Sequence, residues 1–292
     1  MLRFATYLAP SLYETYLYIA RYVGAKVGHP TTLAVGQSLN EFAEAQVDVG
    51  FICGLPYVQM ADAPSCPVEL LVSPILLGER YQNRPIYFSD VVVRRDSPYK
   101  SFTDLQGCVW AYNQKVSHSG WNLVCYSLLE RGKTLDYFGR LIETGSHQRS
   151  VSLVLEGQAD ATAIDSHVLD VFLARNRAEA AELRIIDMLG PSSIPPVVIA
   201  RTVDQALKHL IREALLTMHE DPLAASVLQA GAIDRFVQVS DQDYQDIREM
   251  RARVEGFTHH GARFAPQVAH DWPASSEGKR TRSTAREWPS PS

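Results

Sequence analysis

Two hydrophobic periods alternate along this chain, and that alternation constrains its fold more than any other feature. Short apolar runs are followed by longer runs with apolar residues three and four apart, the signatures of strand and helix. Residues 2–8 read as a strand, and Tyr13 to Val27 as a helix with Leu17, Ala20 and Val23 on one face. Thr31 to Val35 reads as a strand, Leu39 to Ala45 as a short helix and Val47 to Cys53 as a buried strand. Val68 to Leu77 and Ile86 to Val93 continue as strands, the second rich in β-branched valine. Strands alternating with helices predict an α/β fold with mostly parallel sheet between helical layers.

A second unit begins after Arg94. Asp96-Ser97-Pro98 is turn chemistry, and Ser101 to Leu105 starts a short helix. Strands are expected at 108–112, 140–143, 159–164, 183–188 and 197–200, with helices at 122–131, 149–156 and 167–177. Ser192 to Pro196 breaks the pattern, and helices follow at 203–220, 222–229 and 241–254. From Pro266 to Ser292 apolar periodicity vanishes among Pro, Ser, Arg and Lys, which predicts a disordered tail.

The chain has 292 residues, enough for two core-forming units. Its net charge of -5 and the lack of a basic aromatic stripe argue against a nucleic-acid surface. No apolar run approaches the length of a membrane span. The first residues carry no basic, apolar and small-residue succession of a signal peptide, which predicts a cytoplasmic protein if the start is correct. Cys53, Cys66, Cys108 and Cys125 lack metal-ligand spacing, so free thiols are expected, with no metal and no cofactor.

The segment Asn113 to Trp121 carries the most chemistry. It joins a strand to a helix and contains Ser117, His118, Ser119 and Gly120. A helix start offers free N–H groups and partial positive charge, and the hydroxyls and imidazole add further donors. That combination predicts an oxygen-rich anion as ligand.

Five short motifs occur in order: Tyr87 to Ser97 leading into Ser101 to Gly107, the Ser-His-Ser-Gly segment, Thr144 to His147, Gly157 to Ala161, and Ala163 to Ser166. In order and spacing the chain resembles, over roughly residues 2–260, the phosphonate, phosphate and phosphite-binding proteins of bacterial ABC importers, which are similar in fold to type II periplasmic binding proteins. The resemblance implies two α/β lobes, one of residues 1–91 with 195–262 and the other of 92–194, around a ligand cleft. The crossings would fall near Val91 to Arg94 and Pro195 to Ile199. It also implies an ABC permease as partner, a monomeric state and, by the norm of that family, an extracytoplasmic location.

Carried over position by position, the resemblance makes Ser117, His118 and Ser119 an oxyanion cradle, with His118 standing where the family has Thr. His147 matches an imidazole donor to the ligand, and Tyr87 an aromatic wall of the cleft. His167 falls where some aminoalkylphosphonate binders place an acid. A second acid expected after Ile194-Pro195 is absent, as is an aromatic near Val35 to Ser38. From the residues alone, Asp165 is either a helix N-cap or a group that meets a P–OH, and Tyr13, at a strand-to-helix handover, is placed to reach the cleft. Tyr57 reads as packing.

The expected function is capture of a small phosphorus oxyanion or phosphonate in the interlobe cleft for an ABC importer. A cytoplasmic sensor of the same fold is one alternative. An enzyme using Ser117 with His147 is another, although the Gly-x-Ser-x-Gly elbow is missing.

Overall fold

The first strand, β1 (Leu2–Thr6), is buried at Leu2, Phe4, Ala5 and Thr6, as its apolar sequence requires. In the computed structural model, which describes residues 1–261, a single turn then leads into α1 (Tyr13–Val27). This helix buries Tyr16, Ile19, Ala20 and Val23, spaced by three and four residues, and ends at Gly28 with φ 70°. A left-handed helix end favours glycine because a Cβ would clash there. β2 (Thr31–Val35), α2 (Asn40–Ala43), β3 (Val49–Phe51), α3 (Gly54–Ala61) and β4 (Val68–Leu76) follow. β1 pairs in parallel with both β2 and β3.

The chain then crosses to a second sheet. Its strands are β5 (Ile86–Arg94), β6 (Val109–Tyr112), β7 (Arg140–Glu143), β8 (Ala161–Asp165) and β9 (Leu183–Ser193). Between them lie α4 (Leu123–Glu130), α5 (His147–Leu155), α6 (Ser166–Arg175) and α7 (Arg177–Ala181). β6 is parallel to β7 and β8, whereas β5 is antiparallel to β8 and β9. After Ser193 the chain returns through β10 (Val197–Ala200), α8 (Gln205–Leu216), α9 (Pro222–Ala230), β11 (Ile233–Val237) and α10 (Gln245–Gly261).

The first sheet has the order β11-β4-β10-β3-β1-β2 and the second β7-β6-β8-β5-β9, so each lobe is built on its own sheet. Both are mixed rather than mostly parallel, because the strands by which the chain enters each lobe, β5 and β10, and the edge strand β11 run against the βαβ direction. Two boundaries differ from expectation. β5 pairs with β9 from Ile86 onward, so the first crossing lies between Leu76 and Ile86 and not at Val91 to Arg94. β11, a segment to which the sequence pattern assigns no element, closes the edge of the first sheet against β4. The tail expected from Pro266 lies outside the described residues.

The second sheet packs on aromatic residues, with Trp110 stacked on Phe138 at 4.5 Å between centroids. α10 touches both lobes: Ile247 joins the cluster containing Ile52 and Val198, and Val254 joins that of Trp110 and Leu128.

Candidate ligand-binding site

The carboxyl ends of β6, β7 and β8 deliver three helix starts to one place, the usual location of a ligand crevice in an α/β sheet. A cavity of about 510 Å³ opens there, walled by both lobes. The second lobe contributes Asn113, Ser117, Ser119, His147, Gln148 and Asp165. The first contributes Leu8, Pro10, Leu12, Tyr16, Val35 and Ile52, among others, so the wall opposite the polar cluster is mainly apolar.

After β6 the chain turns at Ser117, whose Oγ accepts from the Gly120 N–H at 3.0 Å. His118 to Asn122 form one π-helical turn before α4, a feature that recurs at functional sites. The wide turn rotates Ser119 so that its carbonyl accepts from Ser89 Oγ at 2.7 Å while its own Oγ faces His147 Nε2 at 3.3 Å. The Asn113 amide also meets His147 Nε2, at 3.3 Å. With that amide as donor, the ring proton sits on Nδ1, which is buried without a partner. Ser146 caps α5 by accepting from the Arg149 N–H at 3.1 Å, which fixes His147 at the first helical position. Burial pushes His147 down to about 4, so the ring is neutral at pH 7.

Asp165 ends β8 and caps α6, its Oδ1 accepting from the N–H groups of His167 and Val168 at 2.9 and 3.3 Å. Burial nevertheless lifts its carboxyl to about 7, outweighing those two N–H groups. Asp165 thus caps α6 and also lines the cavity.

The remaining expected residues are placed differently. His118 is fully buried and is not among the residues lining the cavity; its Nε2 meets Ser192 Oγ at 2.8 Å and its Nδ1 meets Asn122 Nδ2 at 3.1 Å. A side chain next to Ser119 on a helical turn projects to another face, so the His turns inward. Tyr87 is buried on β5 behind the cavity wall, with its ring 6.3 Å from that of His118. Tyr13 donates to the Leu33 carbonyl at 3.1 Å, bracing α1 on β2 away from the cavity. His167 does line the cavity, but it is buried rather than at a rim, its Nε2 2.6 Å from the Gly231 carbonyl. Ser117 and His147 share no hydrogen bond, and the serine's hydroxyl serves as a cap.

Three contributions escaped sequence reasoning. Asn113 and Gln148 flank residues already singled out, and both line the cavity. Beside Val35 to Ser38 the cavity is lined by Tyr7, whose ring covers Gly36 so closely that an added Cβ would lie 2.1 Å from it. Among the described residues no group of three or more His, Cys, Asp or Glu is placed to hold a metal ion.

Fold and site together define a two-lobed α/β protein with a cleft between its lobes, one wall of which carries a polar cluster. The chain belongs to the family of periplasmic substrate-binding proteins of phosphonate ABC transporters, whose model matches residues 4–244. Among solved structures it is similar to PhnD1 from Prochlorococcus marinus in complex with methylphosphonate, at TM-score 0.76 and 15% identity, covering 87% of this chain and 98% of that one. It is also similar to a binding-protein component of a phosphonate ABC transporter from Pseudomonas aeruginosa, at TM-score 0.77 and 14% identity over 91% and 90% of the two chains. A Xanthomonas citri protein solved with ATP matches at TM-score 0.66 and 18% identity over 89% and 98%. At these identities the likeness is one of fold.

Proposed function

We propose that this protein captures a small phosphorus oxyanion or phosphonate between its lobes and presents it to an ABC permease outside the cytoplasm, without turning it over. The observation that carries the proposal is the convergence of Ser119, His147 and Asn113 with helix starts on one cavity wall. A desolvated oxyanion with three oxygens needs many N–H and O–H donors, and this wall concentrates them. Membership of the phosphonate-binding family supports the ligand class. Ser117, Ser119, His147 and Asp165 are the residues proposed to face the ligand, whereas His118 and Tyr87 support the wall from behind and Tyr13 braces α1 on β2 away from it. The two sheets are proposed to close on the ligand about the crossings at 77–85 and 194–196.

A thermal-shift panel tests the ligand class. Phosphate, phosphite or methylphosphonate raises the melting temperature, since a hundredfold excess over Kd adds about 2.7 kcal/mol. A response to carboxylates or sulfonates with none to any phosphorus oxyanion refutes it. Steady turnover of a phosphoester, lost in Ser117→Ala, refutes the non-catalytic reading.

A further inference from the structure

The wall proposed to hold an anion contains no cation. Among the described residues no lysine or arginine lines the cavity, and its ionisable side chains are Tyr7, Tyr16, Cys53, His147, Asp165 and His167. Burial lowers both histidines, so neither supplies charge near neutrality. The positive potential comes from the starts of α5, α6 and the turn continuous with α4, each worth about half a charge. Three such ends supply about one and a half charges. A phosphorus dianion beside an ionised Asp165 would bring three negative ones.

Asp165 is 8% exposed and lines the cavity. Its Oδ1 caps α6, while its Oδ2 makes no hydrogen bond to any described residue. The titratable groups that act on it are Tyr16 of α1, Cys53 before α3, Tyr87 and Asp90 of β5, and Asp170 of α6, and the cation beside these acids, Arg80, is already ion-paired with both Asp90 and Asp170. Two negative oxygens meeting in such surroundings are stable when a proton lies between them.

We propose that the cleft takes its phosphorus ligand as the monoanion, with one proton held between Asp165 Oδ2 and a P–O oxygen. Asp165 is then the residue that couples affinity to protonation. The proposal rests on the cleft binding a phosphorus oxyanion at all. Where the free ligand is a dianion and Asp165 is ionised, binding draws that proton from solvent. Affinity then falls about tenfold per pH unit.

The test is calorimetric titration of the full chain with methylphosphonate at about pH 9, above the second ionisation of the free ligand and that of Asp165, in buffers of different ionisation enthalpy, together with a profile of affinity against pH. The expected result is uptake of close to one proton per ligand and the tenfold slope. In Asp165→Asn, which keeps a good helix cap and offers an N–H in place of the shared proton, both vanish. A wild type that takes up no proton and shows a flat profile overturns the proposal, as does an unchanged slope in the Asn variant. Folded protein that binds methylphosphonate and phosphate at no pH overturns the proposed function, and this proposal with it.

Discussion

His118 Nε2 lies 2.8 Å from Ser192 Oγ, and this contact joins the turn that carries Ser119 to the strand by which the chain leaves the second lobe. Ser192 Oγ in turn donates to Asp246 Oδ2 at 2.7 Å, at the start of α10. The directions are forced: Asn122 Nδ2 donates to His118 Nδ1, so Nε2 carries the proton and Ser192 accepts it. Burial pushes this histidine down to about 4, which keeps it neutral.

His118→Ala therefore acts on stability before affinity. It opens a cavity and strands the Asn122 amide, for a cost of about 2–4 kcal/mol. Urea denaturation measures that loss. An alanine variant as stable as the parent contradicts the buried link.

Gly120 sits where an alanine Cβ would fall 1.9 Å from Asn113 Oδ1 and 3.3 Å from Ser117 Oγ. Asn113 must swing away, and its contact with His147 breaks. Gly120→Ala is expected to weaken methylphosphonate binding by roughly tenfold, the worth of one good hydrogen bond. Equal affinities for parent and variant show that Asn113 does not orient the imidazole.

The pH dependence of stability isolates Asp165 without any ligand. Its carboxyl, at about 7 in the fold, lies above its ordinary value of 3.8. A raised acid favours the folded state below the ordinary value, and that contribution is lost as pH rises toward 7. Asp165→Asn removes the loss. The variant equals the parent below about pH 4 and becomes more stable through the window up to pH 7, by an amount on the order of 4 kcal/mol at most. Chemical denaturation at both ends of the window measures this. A carboxyl kept at such a cost fits a residue held for function. A variant that gains nothing at pH 8 shows an Asp165 of ordinary acidity.

Much of the fold was legible because its elements carry their own periodicity. The strand at 140–143, the valine-rich β5 and the helix starts at Ser117 and Asp165 all follow from local pattern and capping chemistry. β11 was not, since its Asp234 and Arg235 interrupt the alternation and its place is set by pairing with β4. At the site, the sequence pattern put Ser119 and His147 at the ends of neighbouring strands, and the structure brings them within 3.3 Å of each other. The inward turn of His118 was not legible, because a π-helical turn changes which face each residue presents and leaves no mark in residue spacing. Tyr7 escaped for a different reason: it reaches the cavity across Gly36 of a neighbouring segment, a contact that exists only in three dimensions.

Calorimetric titration of methylphosphonate into the parent and into Ser119→Ala tests the central claim most directly. The account predicts one saturable site in the parent and a loss of roughly tenfold or more in the variant, because a donor to a charged oxygen contributes about 1.5–3 kcal/mol. Serine and alanine forms that bind with the same affinity, or a folded parent that binds no phosphorus oxyanion, would contradict it.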